Sequence, residues 1–150
     1  MKRILGIDYG SARIGLALSD PTQTLASRLS TLRTARTLAA TVTAVLNEVQ
    51  TLDIEAIVVG LPLFLSGRES ATTAVVRAFA DLLREKSGLP VFLQDERLTS
   101  KEVERVLIDS HMKRKKRAKH LDELSATLIL QTYLDILDSR QEKMQNEPQG

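Results

Sequence analysis

The 150-residue sequence contains no cysteine, and only 3% of its residues are aromatic. Without cysteine the protein has no disulfide bond, no thiolate metal ligand and no thiol nucleophile. The scarcity of aromatic side chains argues against a single-strand-binding surface on which bases stack. The sequence also lacks a signal-peptide pattern and an apolar run long enough to span a bilayer, so we expect a cytoplasmic protein with no membrane partner.

The composition that remains is that of an ordinary globular protein, with 43% apolar and 27% charged residues. The length suits one domain with a sizeable core, which we place at residues 1–139 and follow with a polar C-terminal tail at 140–150. The formal net charge is only +2, so overall charge says little about partners. The distribution of charge along the chain is more informative.

Two apolar runs open the chain, on either side of a polar turn at residues 9–12. Runs of this kind indicate strands that are covered on both faces. The period of two places Gly6 and Asp8 on one face of the first strand. A carboxylate at the end of a buried strand is costly unless a metal, a cation or several donors compensate it. Asp8 therefore either accepts hydrogen bonds from the turn at Gly10 and Ser11 or belongs to a functional site, and this stretch alone supports both equally.

The rest of the chain alternates helical and strand patterns. After the first two strands we predict a strand over 25–32, a helix over 35–52, a strand over 55–61, a helix marked by Val75, Ala78, Phe79, Leu82 and Leu83, a strand over 91–94, a helix starting with the capping box at 99–102 and a helix over 121–139. The first three strands form an antiparallel part, and right-handed helical crossovers add two parallel strands. This order predicts an α/β fold, a mixed five-stranded sheet flanked by helices, which is the ribonuclease H-like arrangement.

Acidic residues recur at three places where the ends of these elements could meet: Asp8, the pair Asp95 and Glu96, and Asp122. Converging carboxylates form an oxygen-ligand site that suits Mg²⁺ or Mn²⁺. Two such ions can stabilise the attacking and leaving oxygens of phosphodiester hydrolysis, with Asp8 on the central strand as the bridging ligand. The residues alone do not choose between Asp95 and Glu96, and one of the two could instead pair with Arg97 or cap the next helix.

Helical geometry separates Asp122 from its neighbour Glu123. Asp122 heads an apolar stripe that we expect to face the sheet, formed by Ala126, Ile129, Tyr133 and Leu137. Glu123 heads a polar stripe that we expect to face water, formed by Thr127, Gln131, Asp135 and Asp138. The helix dipole would also favour a carboxylate in the first turn, but the apolar companions favour an inward-facing ligand at Asp122.

A dense basic run precedes this helix, with six cationic residues among the seven at 113–119. So many like charges cannot form a packed face, and we expect a loop that interrupts the helical pattern. Because the run lies just before Asp122, we expect its cations to contact backbone phosphates. Such contacts neutralise the phosphate charge and do not recognise the base sequence. The cations are Lys113, Arg114, Lys115, Lys116, Arg117 and Lys119. His120 follows the run, and we interpret it as a spectator.

The chain closely resembles the YqgF/RuvX family, whose members are described as Holliday junction resolvases and as nucleases that mature the 16S ribosomal RNA precursor. The matching segments are GIDYG at 6–10, RIGLA at 13–17, IVVGLP at 57–62, DERLT at 95–99 and LDELSATLILQ at 121–131. The resemblance implies the acidic set Asp8, Glu96 and Asp122, and so selects Glu96 over Asp95. Arg13 and Arg97 lie within the matching segments, and we expect them to contact nucleic acid. The chain departs from the family at Ala12, where a basic residue is common, and at 63–66 (LFLS), where the loop is usually more polar.

The resemblance implies a divalent-metal endonuclease that acts on structured nucleic acid, most naturally the 16S ribosomal RNA precursor in ribosome biogenesis. Two alternatives remain open: a Holliday junction resolvase acting on branched DNA, and a nucleic-acid- or ribosome-binding factor whose acidic site is weak or silent. A sugar-kinase or actin type of phosphotransferase also has a Gly-x-Asp-x-Gly loop, but it needs two such domains and the chain is too short. We expect a monomer or a weak homodimer.

Overall fold

The computed structural model describes residues 2–98 and 114–146, with side chains described over 2–98 and 124–144. The strands are β1 (Arg3–Tyr9), β2 (Arg13–Ser19), β3 (Ala26–Arg33), β4 (Ile54–Leu61) and β5 (Val91–Asp95). The helices are α1 (Leu38–Glu48), α2 (Ala71–Ser87) and α3 (Arg114–Asn146), and a short 3₁₀ turn, Glu96–Leu98, follows β5.

The five strands form one sheet in the order β3-β2-β1-β4-β5. The pairs β1–β2 and β2–β3 are antiparallel, whereas β1–β4 and β4–β5 are parallel. The predicted mixed five-stranded sheet, with three antiparallel strands followed by two parallel ones, is therefore confirmed. β1 lies at its centre, where it is hydrogen-bonded on both sides.

The sheet is covered by helices on both faces, and each face has its own apolar core. On one face Leu5 and Ile7 of β1 pack with the buried side chains of α1 and α2. On the other face Ile4 packs with the buried residues of α3, which are Ala126, Ile129, Leu130 and Leu134. Because neighbouring strand residues alternate between faces, Gly6 and Asp8 lie on the α3 side with Ile4.

Capping explains where the first two helices begin. The Thr37 hydroxyl accepts a hydrogen bond from the Ala40 backbone at 3.1 Å, so α1 starts at Leu38, later than predicted. A capping box formed by Ser70 and Thr73 starts α2, and Gly88, in the left-handed conformation with φ 70°, ends it.

The two long amphipathic faces are rotated slightly from their prediction. In α2 the buried positions include Val76 and Ala80, whereas Val75 is 42% exposed. In α3 the expected solvent-facing stripe holds for Asp135 and Asp138, but Gln131 instead holds the start of β3. Its side-chain oxygen accepts a hydrogen bond from the Ala26 backbone at 2.8 Å, and its amide donates to the Thr24 carbonyl at 3.0 Å.

Helix α3 is longer than predicted at both ends. It includes residues 114–120, so the prediction that the basic run is a loop is wrong for this part of the run. It also continues past Ser139 to Asn146 into the expected tail. Lys113 and the helix predicted from 99–102 lie outside the described residues. Within the described part of the chain, no helix is both long enough and apolar enough to cross a membrane.

Candidate active site at the end of the central strand

The side chains of Asp8 and Glu96 meet at one edge of the sheet. Asp8 is the second-to-last residue of β1, and Glu96 is the first residue after β5, two strands away. The two carboxyl groups are hydrogen-bonded to each other. Asp8 and Glu96 are both half-buried, so the acidic pair (Asp8 and Glu96) sits at the border between the core and solvent.

This position raises the pKa of Glu96 to about 8. Burial is the largest cause, followed by the negative charge of Asp8, the hydrogen bond with Asp8 and the charge of Asp95. Near neutral pH one proton is therefore held between the two carboxyl groups, since two bare carboxylates at this distance repel each other.

Gly60 of β4 makes the approach of Glu96 possible. Val59 pairs with Ile7 in the parallel β1–β4 ladder, so the next residues along, Gly60 and Asp8, lie at the same level of the sheet. A Cβ atom at Gly60 would stand 2.7 Å from Oε1 of Glu96 and 2.5 Å from Cδ1 of Ile129. The missing side chain thus leaves the space into which Glu96 reaches from the neighbouring strand.

Asp95 points to a different partner. Its carboxylate accepts hydrogen bonds from the Arg97 side chain at 2.9 and 2.6 Å and from the Arg97 backbone at 2.9 Å. These bonds hold the pKa of Asp95 below its usual value. The structure thus places Glu96 against Asp8 and Asp95 against Arg97, which is the pairing that the sequence left open.

Arg97 also holds the loop that follows β4. Its Nη1 atom donates to the Leu65 carbonyl at 3.2 Å, and Gly67, with φ 88°, turns the loop beside the guanidinium. The neighbouring side chains of Phe64 and Leu65 are 58% and 80% exposed. The expected contact of Arg97 with nucleic acid remains a prediction, because in this structure its guanidinium is engaged within the protein.

A cavity of about 330 Å³ opens beside Asp8. Arg13, which the sequence analysis singled out, lines it together with Gly10, Ser11, Ala12, Gly15, Arg28 and Thr31. The tight turn at its rim requires glycine at position 10, where a Cβ atom would lie 2.5 Å from the Arg13 carbonyl oxygen. Thr34 supports the same turn by donating to the Gly10 carbonyl at 2.7 Å.

Two lining residues, Arg28 and Thr31, were missed by sequence reasoning. Regular alternation along β3 puts positions 28 and 31 on opposite faces. The β2–β3 register shifts between Leu16 and Ala17, so Arg28 pairs with Ala17 and Thr31 pairs with Gly15 on the same face. A bulge of this kind leaves no clear mark in the sequence.

The remaining predicted site residues belong to α3. The backbone of Asp122 lies in the helix one turn before Ala126. Its side chain, those of Glu123 and His120 and those of the cations at 114–119 are outside the described part of the structure. The structure thus brings together two of the three predicted acidic residues, Asp8 and Glu96, and describes no side chain for the third.

The acidic pair has the donor chemistry that a hard divalent cation requires. Asp8 and Glu96 offer carboxylate oxygens at a partly buried point, and the proton they hold marks a place that favours positive charge. Among the described residues no group of three or more His, Asp or Glu side chains is close enough to hold a metal ion. A third carboxylate ligand would come from outside the described side chains.

Known proteins match this chain over most of its length. A family model described as "RuvX: Holliday junction resolvase" matches residues 2–136. A protein of Protochlamydia amoebophila named "Putative pre-16S rRNA nuclease" is 46% identical over 139 residues, covering 89% of this chain and 93% of its own. A protein of Koribacter versatilis with the same name is 47% identical over 135 residues, covering 89% of this chain and 86% of its own.

Two solved structures with similar folds come from Thermus thermophilus and from fowlpox virus. Thermus thermophilus RuvC, in complex with a Holliday junction substrate, has a TM-score of 0.55 at 18% identity and covers 91% of this chain and 96% of its own. The fowlpox virus Holliday junction resolvase has a TM-score of 0.53 at 14% identity, covering 90% and 99%. These likenesses support the ribonuclease H-like fold. The match over residues 2–136 and the relatives above 40% identity show that this chain belongs to the RuvX family of nucleases.

Proposed function

We propose that the protein is a divalent-metal endonuclease that processes the 16S ribosomal RNA precursor. The observation that carries the proposal is the acidic pair at the end of β1, whose two carboxyl groups hold one proton at a place suited to a cation. The names of the relatives at 46% and 47% identity support the ribosomal RNA precursor as substrate. Such a role would place the protein in the cytoplasm, in contact with ribosomal precursors.

Asp122 is the third carboxylate in this proposal. Gly6 of β1 lies against α3, since a Cβ atom there would be 2.6 Å from Cβ of Leu130 and 3.2 Å from the carbonyl oxygen of Ala126. Asp8 is two residues further along β1 on the same face, and Asp122 is one turn before Ala126. The helix thus passes from Leu134, in the core with Ile4, towards the end of the strand where Asp8 lies.

Asp8, Glu96 and Asp122 would hold Mg²⁺ or Mn²⁺, and a pair of such ions stabilises the attacking and leaving oxygens of a phosphodiester. Glu96 would have to release its proton to serve as a ligand, and Asp8, on the central strand, would be a ligand beside it. Arg13, at the cavity beside Asp8, would hold the phosphate backbone and orient it towards the acidic pair.

A second candidate is resolution of a four-way DNA junction, and the description of the matching family model favours it. Phosphate-directed contacts serve RNA and DNA alike, so the acidic pair and Arg13 do not choose between the substrates. A two-fold junction would call for a dimer, whereas precursor processing is open to a monomer.

The test is cleavage of a 16S precursor RNA and of a four-way DNA junction, each with Mn²⁺. Asp8→Asn should reduce cleavage to background while the melting temperature stays equal or rises, because asparagine keeps the size of Asp8 and removes its negative charge from beside the buried Glu96. Asp81→Asn is the matched control, since it removes a carboxylate from the exposed surface of α2, and it should cleave like the wild type. Equal cleavage by Asp8→Asn and wild type at saturating Mn²⁺ would refute the metal-site assignment.

The same assay tests the third ligand. Asp122→Asn should lower cleavage and weaken Mn²⁺ binding, while its neighbour Glu123→Gln should leave both close to wild type. If Glu123→Gln is the damaging change, the helix presents a different residue to the site. If wild type binds the RNA precursor but does not cleave it at any Mn²⁺ concentration, the protein is a binding factor with a silent acidic site.

A further inference from the structure

The cavity beside Asp8 extends across the sheet away from the acidic pair. Asp8 pairs with Gly15 of β2, and Gly15 pairs with Thr31 of β3, so these three residues form one row on the α3 side of the sheet. The row runs from the central strand to the outer strand at the edge of the sheet. Gly15 lines the floor of the cavity between Asp8 and Thr31, and it has no side chain to fill that space.

Arginines stand on both sides of this floor. Arg13 is two residues before Gly15 on β2, and Arg28 reaches the same face from β3 through the register shift opposite Leu16 and Ala17. Both arginines are exposed. Nη2 of Arg28 lies 3.4 Å from the Thr31 hydroxyl, which steadies the guanidinium at the wall of the cavity.

The charges lining the cavity are predominantly positive. Apart from Asp8 at its inner end, its lining residues include no acidic side chain, and within the described residues neither Arg13 nor Arg28 forms a salt bridge. Two guanidinium groups that form no salt bridge with any described side chain, beside a glycine floor, match the shape and charge of a phosphodiester.

We propose that this cavity binds a backbone phosphate next to the one attacked at the acidic pair, with Arg28 as its principal ligand. Thr31 is a positioning residue that orients the guanidinium of Arg28. The nucleic-acid strand then crosses β2 and β3 along the row of Gly15 and Thr31 and leaves the site over the edge of the sheet. This inference rests on the proposed function, because it takes the phosphate at the acidic pair as its starting point.

The experiment measures binding separately from cleavage. Affinity for fluorescent 16S precursor RNA and for a four-way DNA junction is measured as a function of salt, in the Asp8→Asn background with Mn²⁺ present. Adding Arg28→Ala should weaken binding about tenfold and reduce the slope of log affinity against log salt by about 1. Arg28→Lys keeps the charge but not the planar fork, so it should retain the slope and recover only part of the affinity.

Two further variants separate a phosphate contact from a general loss of charge or fold. Lys86→Ala removes an exposed cation from α2, on the opposite face of the sheet, and should change neither affinity nor slope. Thr31→Val should weaken binding less than Arg28→Ala and should have no further effect when Arg28 is already alanine. Arg28→Ala should melt at the wild-type temperature, because its side chain is exposed.

The outcomes distinguish this inference from the proposed function. One outcome is that Arg28→Ala binds with the same affinity and salt slope as Lys86→Ala, while the wild-type protein, which retains Asp8, cleaves. In that case the cavity binds no phosphate and the nuclease assignment stands. If Arg28→Ala shows the expected loss but no Asp8-dependent cleavage is found, the phosphate site stands and the nuclease assignment fails.

Discussion

Asp95 and Glu96 are adjacent carboxylic acids whose pKa values shift in opposite directions. Asp95 faces the Arg97 guanidinium, which favours its charged form. Glu96 is partly buried against Asp8, so its neutral form is favoured and its pKa rises to about 8. The two side chains leave the end of β5 in different directions, and this alone decides which of them becomes part of the acidic pair.

The metal-free protein should become less stable as the pH rises from about 5 to about 8. A glutamate in the unfolded chain has a pKa of 4.5, whereas the pKa of Glu96 in the folded protein is about 8. The folded state therefore binds the proton more tightly, so its advantage is full below pH 4.5 and is lost as pH rises through 8. One pKa unit corresponds to about 1.4 kcal/mol, and water at this half-buried site reduces the effect, so we expect a loss of about 1–3 kcal/mol.

The measurement is urea unfolding in EDTA between pH 5 and pH 9, with Glu96→Gln as the matched variant. Glu96→Gln cannot ionise, so its stability should decline less over this range, and the difference between the two proteins isolates the Glu96 contribution. Mn²⁺ should restore the stability of the wild type above pH 8, because a cation that binds the folded state stabilises it. Parallel curves for the two proteins in EDTA would contradict the raised pKa.

At the level of elements, the sequence predicted which segments form strands and how those strands are ordered. Period-two runs bounded by turns, followed by alternating helical patterns, leave few topologies open. The predicted core residues Phe79 and Leu83 are buried, but the burial of Val76 in place of Val75 could not be deduced, because the two valines are equally apolar. The prediction was also wrong for residues 114–119 of α3. The like charges of this segment indicate a loop, whereas the segment is helical.

The sequence predicted that Asp8 would meet an acidic residue from the pair Asp95 and Glu96, but it did not predict the geometry of the site. Nothing in the sequence shows that the bulge in β3 turns Arg28 and Thr31 to the same face, because a bulge is decided by pairing between strands. The role of Gly60 is hidden for a similar reason. Its missing side chain matters only because Ile129 and Glu96, which are distant in the sequence, both converge on it.

Gly60→Ala should therefore reduce stability through its contact with Ile129 and reduce activity through its contact with Glu96. The new Cβ atom would lie 2.5 Å from Cδ1 of Ile129 and 2.7 Å from Oε1 of Glu96, so both side chains must move. We expect a loss of stability of roughly 1–3 kcal/mol from overpacking. Displacing Glu96 from Asp8 should also lower cleavage, which is measured alongside unfolding.

A second substitution separates the two contacts. Ile129→Val removes Cδ1, so Gly60→Ala combined with Ile129→Val should recover much of the stability that Gly60→Ala loses. The contact with Glu96 remains, so cleavage should stay low in the double variant. Full cleavage by Gly60→Ala alone would show that Glu96 does not need the space left by Gly60 in order to reach Asp8.

For the whole molecule, the arrangement of charge matters more than its sum. The net charge is only +2, yet the acidic pair, the arginines of the cavity and the start of α3 all belong to the α3 side of the sheet. Helix α3 contacts β1, β2, β3 and β4, so one helix spans most of this face. The basic run lies in the first turns of the helix, before Asp122. The helix axis places these turns towards the end of β1 where Asp8 lies.

Neutralising the basic run should thus weaken binding of nucleic acid and flatten its dependence on salt. The variant replaces Lys113, Arg114, Lys115, Lys116 and Arg117 with glutamine, which has a helix propensity similar to that of lysine and arginine and so preserves α3. For every phosphate that the variant no longer neutralises, the slope of log affinity against log salt should fall by about 0.9 on a duplex.

A smaller pair of substitutions, Lys115→Gln with Lys116→Gln, provides a matched control. It is compared with Arg77→Gln combined with Lys86→Gln on α2, which removes the same charge from the other face of the sheet. The slope should fall only for the α3 pair. Equal slopes for both pairs and the wild type would mean that the cations of the run face solvent and do not contact phosphates.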